Sequence, residues 1–271
     1  MTLPECKNLL LRLEAGVLHV TFNRPEARNA MSLALLNELS AVFDAIHDDR
    51  SVRAVVLRGA GGHFCAGGDI KDMAAARQAK ASDGRDPVAD YNRNFGRLLR
   101  KVNAAPQATL AVLEGAVLGG GFGLACVTDI AIAHTDASFG MPETGLGIPP
   151  AQIAPFVVER IGLSQARRLG VCGARFKGEE ALRLGLVHFV AADETQLQAL
   201  LDEAIAQIRR CAPGANAVTK AIMLSVGRRD LDEILDEAAR QFSEAVRGPE
   251  GIEGTMAFVQ KRLPKWATPQ A

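Results

Sequence analysis

Apolar residues in the first half of the chain fall into short runs that are typical of β-strands. Residues 17–22 alternate between two faces and end at the turn-forming Asn23-Arg24-Pro25. Residues 54–57, 108–113 and 130–133 are continuously apolar, which is the pattern of strands buried on both faces of a parallel sheet. The first half of the chain therefore predicts an α/β fold.

Helical periodicity links these strands and takes over beyond about residue 152. Ser32 is a candidate N-cap for a helix with one apolar face, formed by Leu35, Leu36, Leu39, Val42, Phe43 and Ile46. The polar, Ala-rich residues 74–90 are expected to form a loop or lid. We predict an α/β core over residues 1–195 and a helical region over residues 196–271, whose apolar faces need a surface to pack against.

Composition and charge exclude several classes of protein. The 31 basic and 31 acidic side chains give no net charge, so we expect no nucleic-acid partner. No apolar run reaches the roughly 18 residues of a membrane span, and Met1 to Leu13 lacks the pattern of a signal peptide, so we expect a cytoplasmic protein without membrane contact. The five scattered cysteines form no CxxC pair, and no metal site is expected; His63 beside Cys65 is interpreted as structural.

Glycine is abundant in this chain, with 26 residues against one Trp and one Tyr. Two clusters, Gly67-Gly68 and 119–121, follow buried strands. Neither the P-loop pattern nor the dinucleotide-binding pattern fits the second cluster, since no Lys-Ser or Lys-Thr follows and Leu124 stands where a third glycine is needed. Two interpretations stay open: close packing of a helix on the sheet, or an oxyanion hole made of backbone N–H groups.

Six segments, in order along the chain, resemble the enoyl-CoA hydratase/isomerase (crotonase) family. They are 23–31, 63–70, 115–121, 129–130, 139–143 and 257–262. The resemblance implies the ClpP/crotonase fold, a spiral of ββα units followed by C-terminal helices that assemble homotrimers, often stacked into homohexamers. It also implies an acyl-CoA substrate, with coenzyme A as part of that substrate and no separate cofactor.

The resemblance also implies roles for individual residues. The backbone N–H groups of Ala66 and Gly120 would bind the thioester oxygen, and Glu143 would be the catalytic acid or base. Phe258 and Lys261 would contribute to the CoA-binding site, either of their own subunit or of a neighbouring one. The residues expected to bind the CoA thioester are Arg28, Ala66, Gly67, Gly68, Asp69, Gly120, Phe258 and Lys261.

One position departs from the pattern of the family's hydratases, which use two glutamates. Glu143 occupies the second place, but Gly123 stands in the first. A single glutamate is also what some isomerases of the family use, so hydration and Δ3,Δ2-isomerisation both stay open. Non-catalytic binding of acyl-CoA or RNA is a third interpretation, and the balanced charge disfavours it.

Residues 113–126 and 149–156 resemble, more narrowly, the isohexenylglutaconyl-CoA hydratase branch, which acts in bacterial degradation of acyclic terpenes. Substrates of that branch are branched at C3 and carry a free carboxylate. We therefore hypothesise that Gly123 makes room for the carboxymethyl branch, and that the substrate carboxylate helps to hold the attacking water. On this hypothesis, Gly123→Glu blocks branched substrates.

Overall fold

The computed structural model describes residues 2–81 and 84–267. The strands in these ranges are β1 (Leu9–Glu14), β2 (Val17–Phe22), β3 (Ala54–Gly59), β4 (Ala108–Leu113), β5 (Ala116–Leu118), β6 (Ile130–His134), β7 (Ser138–Gly140), β8 (Arg175–Phe176) and β9 (Phe189–Ala191). The helices are α1 (Leu33–Ile46), α2 (Ile70–Gln78), α3 (Pro87–Asn103), α4 (Gly120–Cys126), α5 (Ala154–Cys172), α6 (Gly178–Arg183), α7 (Glu194–Arg210), α8 (Pro213–Ser225), α9 (Leu231–Arg247) and α10 (Pro249–Val259). None of these helices has the length and apolarity needed to cross a bilayer.

Two sheets organise the chain. The larger has the strand order β1-β2-β3-β4-β6-β9, with β1 antiparallel to β2 and all other pairs parallel. The smaller consists of β5, β7 and β8. The continuously apolar runs form β3, β4 and β6, as predicted, and are buried on both faces of the larger sheet. The edge strand β1 was not predicted, because only Leu9 of its six residues is buried.

Helix α1 confirms the prediction made from its periodicity and cap. The Ser32 hydroxyl oxygen accepts the Leu35 N–H at 3.2 Å, and the predicted apolar face is buried. The expectation of a loop over residues 74–90 is wrong at both ends, because α2 continues to Gln78 and α3 begins at Pro87; the described residues between them, 79–81 and 84–86, belong to neither helix. Asp69 and Asp86 cap these two helices, and the Ala-rich sequence suits the helical state.

The expected boundary between residues 195 and 196 lies inside the first turn of α7. This helix packs against the larger sheet, so the α/β core extends to Arg210. Its buried residues are Leu197, Leu201, Ala204, Ile205 and Ile208, which pack on Val56, Leu110 and Ile132 of the sheet. Helices α8 to α10 instead keep many large apolar side chains on the surface, including Met223, Leu231, Leu235, Phe242, Ile252 and Met256.

Candidate active site

A cavity of about 300 Å³ opens where the two glycine-containing loops meet α3 and the turn that follows β7. The loops follow β3 and β5, so the order of the strands brings distant segments of sequence to one place. The backbone at Gly68, Gly119 and Gly120 forms one wall, and α3 forms another. Apolar side chains cover most of the remainder, including Met31, Leu36, Met73, Phe95, Ile148 and Ile153.

The backbone N–H groups of Gly68 and Gly120, both at this cavity, have no acceptor within the described residues. Gly120 is the first residue of α4, where no preceding turn supplies a carbonyl. The two loops are in contact, since a Cβ on Gly119 would lie 3.5 Å from the Gly67 Cα. Freed donors from adjoining loops are the elements of an oxyanion hole.

The backbone N–H of Ala66, which was expected to be the first oxyanion-hole donor, is not free. It donates to the Arg28 carbonyl at 3.0 Å and is therefore engaged within the protein. Ala66 still lines the cavity, as do Gly67 and Gly68. The oxyanion role expected of Ala66 thus moves two residues along the loop, to Gly68. The hydrogen bond that engages the Ala66 N–H joins residues 38 positions apart in the sequence, and no local sequence pattern predicts it.

Glu143 lies in the short turn Pro142–Leu146 and lines the cavity. Its Oε2 atom is buried and has no hydrogen-bond partner. A Cβ on Gly119 would lie 2.7 Å from Glu143 Oε1, so the carboxyl group reaches the loop that carries the Gly120 donor. Burial raises the pKa of Glu143 above its usual value, because desolvation disfavours the charged form. A carboxyl group with a raised pKa is suited to accept and return a proton.

Gly123 does not open space for a substrate, and that hypothesis is wrong. Ile153 Cγ2 lies 2.2 Å from the place that a Cβ on Gly123 would take, so Ile153 fills the volume. Ile153 lines the cavity, whereas Gly123 does not. Among the described residues that line the cavity, Glu143 provides the one carboxylate.

We predict that Gly123→Ala lowers the free energy of unfolding by about 1 to 3 kcal/mol, because the added methyl group overpacks against Ile153. In an Ile153→Gly background, which removes both the Cγ2 atom at 2.2 Å and the Cβ atom at 2.7 Å, the same change is expected to cost at least about 1 kcal/mol less, as measured by a urea double-mutant cycle. Gly145→Ala is the control, since nothing lies within 4 Å of its Cβ position. Additive effects in the cycle would contradict the contact.

Asp69 and Arg28 were expected to bind CoA, but the contacts that they make in the structure are with other parts of the chain. Asp69 forms an ion pair with Arg24 at 2.8 Å and accepts the Lys71 N–H, which caps α2; it does not line the cavity. Arg24 holds the pKa of Asp69 below its usual value although burial opposes this. Arg28 is exposed, has a left-handed backbone with φ 48°, and presents its carbonyl to the Ala66 loop. Their expected part in CoA binding stays a prediction.

Phe258 and Lys261 lie at the end of α10, outside the lining of this cavity. Phe258 is 85% exposed. The structure does not bring either residue to the site of its own chain, so their expected role depends on a neighbouring subunit and stays a prediction.

Three further residues near the loops are structural. Glu114 pairs with Arg58 at 2.8 Å, outside the cavity. His63 Nδ1 accepts the Ala116 N–H at 3.0 Å. Cys65 is fully buried, which raises the pKa of its thiol to about 12 and leaves it protonated at neutral pH.

Sequence reasoning missed Asn92 and Gln152, two polar residues that line the cavity from α3 and from the turn before α5. A Cβ on Gly96 would lie 1.9 Å from Gln152 Oε1, so Gln152 enters a notch on α3 much as Ile153 enters one on α4. The sequence did contain an indication of Asn92: it is a polar residue three positions before Phe95, on the apolar side of α3 that faces the cavity.

Freed N–H groups beside a buried, unpaired carboxyl group define an enzyme site that stabilises charge on a carbonyl oxygen while moving a proton. Comparison with known proteins agrees. The family model described as Enoyl-CoA hydratase/isomerase matches residues 12–269. The chain belongs to this family, is an enzyme of the enoyl-CoA hydratase kind, and acts on acyl-CoA substrates.

Individual relatives support the family and the crotonase fold. A short-chain-enoyl-CoA hydratase from Clostridium acetobutylicum is 33% identical over 260 residues, which is 95% of this chain and 97% of that protein. The structure of Pseudomonas aeruginosa AtuE is 63% identical with a TM-score of 0.94, and an enoyl-CoA hydratase/isomerase from Marinobacter aquaeolei is 57% identical with a TM-score of 0.95. Both alignments cover 97% of this chain and 100% of the other.

Proposed function

We propose that the enzyme adds water across the double bond of an α,β-unsaturated acyl-CoA that is branched at C3, with isohexenylglutaconyl-CoA as the candidate substrate. The observation that carries the mechanism is the unpaired Glu143 carboxyl group beside the free N–H groups of Gly68 and Gly120. The likeness of residues 113–126 and 149–156 to one branch of the family supports the choice of substrate.

In this mechanism, the thioester oxygen accepts hydrogen bonds from the Gly68 and Gly120 N–H groups. The oxygen of water bonds to C3 while Glu143 takes a proton from that water, and the electrons of the double bond move to the thioester as an enolate. The two donors stabilise this negative charge more strongly than the neutral thioester, which is the condition for acceleration. Glu143 then returns a proton to C2, and one carboxyl group completes the addition.

The test is a panel of linear and C3-branched enoyl-CoA thioesters incubated in H₂¹⁸O, with products analysed by mass spectrometry. We expect ¹⁸O at C3 and a higher kcat/KM for branched thioesters. Turnover of the linear thioesters alone would contradict the proposed substrate, and products without ¹⁸O would contradict hydration.

Δ3,Δ2-isomerisation is a second candidate, favoured by the finding that Glu143 is the one carboxylate among the described cavity-lining residues. Isomerisation moves a proton from C2 to C4 and needs no water. The same labelling experiment separates the two activities, because an isomerised product gains no oxygen. A 3-enoyl-CoA converted without ¹⁸O would support this candidate.

We propose that the working enzyme is a homotrimer or a homohexamer, assembled through helices α8 to α10. Their exposed apolar side chains support this, and Phe242 is 72% exposed on a helix whose other face is charged. We predict that Phe242→Glu lowers the mass measured by light scattering towards the monomer, whereas Phe242→Leu leaves it unchanged. A monomeric wild-type chain at micromolar concentration would contradict the proposal.

A further inference from the structure

Three polar side chains interrupt the apolar wall of the cavity where α3 meets the turn before α5. Gln152 Nε2 donates to Asn92 Oδ1 at 2.9 Å, and Arg93 Nη1 donates to Gln152 Oε1 at 3.2 Å. Asn92 and Gln152 line the cavity, and Arg93 lies behind them at the surface. The proposed mechanism of water addition uses none of the three.

The direction of these hydrogen bonds decides what the cluster presents to the cavity. A guanidinium group has donors only, so Gln152 turns its oxygen towards Arg93 and its NH₂ group towards Asn92. Asn92 in turn uses its oxygen to accept from Gln152. The Asn92 NH₂ group donates to no other group within the described residues. The cluster thus offers N–H donors backed by a positive charge, which suits a negatively charged acceptor.

The cluster lies close to the reacting end of the substrate. Phe95 Cζ is 3.2 Å from the place that a Cβ on Gly120 would take, so Phe95 packs beside an oxyanion donor. Asn92 precedes Phe95 by three residues on α3, and side chains at this spacing are about 5 to 6 Å apart. Asn92 therefore lies about one helical turn from the Phe95 ring that packs against the Gly120 donor, so a substituent on C3 of an acyl group held at that donor is placed to contact it.

We propose that Asn92, Gln152 and Arg93 form a carboxylate-binding subsite for the acyl group, which selects enoyl-CoA thioesters that carry a second carboxylate near C3. This inference rests on the proposed function, because that function makes the cavity the acyl site. Asn92 and Gln152 donate to the carboxylate, and Arg93 fixes the orientation of the Gln152 amide while adding positive charge. The subsite governs specificity and takes no part in making or breaking bonds.

The test compares two thioesters that differ at a single group: 3-methylglutaconyl-CoA, and 3-methylpent-2-enoyl-CoA with a methyl group in place of the carboxylate. The wild type is expected to prefer the carboxylated thioester. Gln152→Leu is expected to lower kcat/KM for that thioester by about 10- to 100-fold, the range for a hydrogen bond to a charged group. The loss should lie in KM, because the contact is the same in the ground and transition states.

Matched variants separate recognition from structure. Gln198→Leu, on the exposed face of α7, is expected to leave the preference unchanged. Arg93→Met is expected to reduce the preference by a smaller factor, and it serves as the second variant if Gln152→Leu fails to fold, since Arg93 is exposed. If Gln152→Leu and Arg93→Met lowered kcat/KM equally for both thioesters, the proposed subsite would be overturned.

A binding measurement needs no turnover and separates this inference from the proposed function. Calorimetry compares the saturated thioesters 3-methylglutaryl-CoA and 3-methylpentanoyl-CoA with the wild-type protein. Tighter binding of the carboxylated thioester, lost in Gln152→Leu, supports the subsite even if no thioester is hydrated, in which case only the proposed function fails. Equal affinities overturn the subsite even if both enoyl thioesters are hydrated.

Discussion

Glu143→Gln is expected to lower kcat for water addition by about 10²- to 10⁴-fold, the usual contribution of a positioned acid or base. The amide keeps the shape of the side chain but does not exchange a proton. For the wild type, kcat/KM should fall as the pH is lowered through the raised pKa of Glu143, because water addition requires the carboxylate. Steady-state assays across pH measure both effects.

Stability measurements show whether this loss is chemical. The raised pKa means that protonated Glu143 is favoured by the fold; this contribution is complete below the pKa of the unfolded chain and is lost as the pH rises through the folded pKa. At neutral pH the glutamine variant lacks the unfavourable buried charge, so its urea midpoint should equal or exceed that of the wild type. The exposed Glu179→Gln is the control. Unchanged kcat in Glu143→Gln would refute the assignment.

Gly120→Pro is expected to lower kcat by about 10²- to 10³-fold, because proline removes one of the two N–H groups that stabilise the enolate. Gly120 is the first residue of α4, a position where proline is tolerated, since its N–H makes no bond within the helix. The resulting drop in kcat, measured with an enoyl-CoA thioester, reports the missing donor.

Gly120→Ala is the matched control for this substitution. It places the same Cβ 3.2 Å from Phe95 Cζ but keeps the N–H group. We expect the alanine variant to retain kcat within about tenfold. Equal losses in the alanine and proline variants would assign the effect to crowding against Phe95 and remove Gly120 from the oxyanion hole.

Local patterns in the sequence predicted the fully buried strands and the clearly amphipathic helix α1. The apolar runs of β3 and β4 and the Ser32 cap of α1 were confirmed because burial and capping leave a periodic trace. The glycine clusters and the strands before them located both loops, and the family resemblance pointed to Glu143. The resemblance placed the first donor at Ala66 rather than Gly68, because the choice depends on the carbonyl of Arg28, which the fold brings across from another loop.

Contacts between distant segments account for the parts of the site that the sequence did not predict. The volume beside Gly123 was expected to be open, and Ile153, 30 residues further along, fills it. The polar cluster at Gln152 was missed for the same reason, since α3 and the turn before α5 meet only in the folded chain. Neither arrangement has a periodic signature.

The two glycine notches, at Gly96 and Gly123, constrain the order in which this site can change. Gln152 and Ile153 are adjacent residues of one turn, and each occupies the space beside one of these glycines. Neither glycine can therefore be replaced by a larger residue while the side chain opposite it stays in place. A glutamate at position 123 becomes acceptable only after Ile153 has been replaced by glycine or its turn has moved away from α4, because the Ile153 Cβ alone lies 2.7 Å from the Cβ position of residue 123. A route from this enzyme to a two-carboxylate hydratase therefore changes the turn that carries Gln152 and Ile153 before it changes position 123.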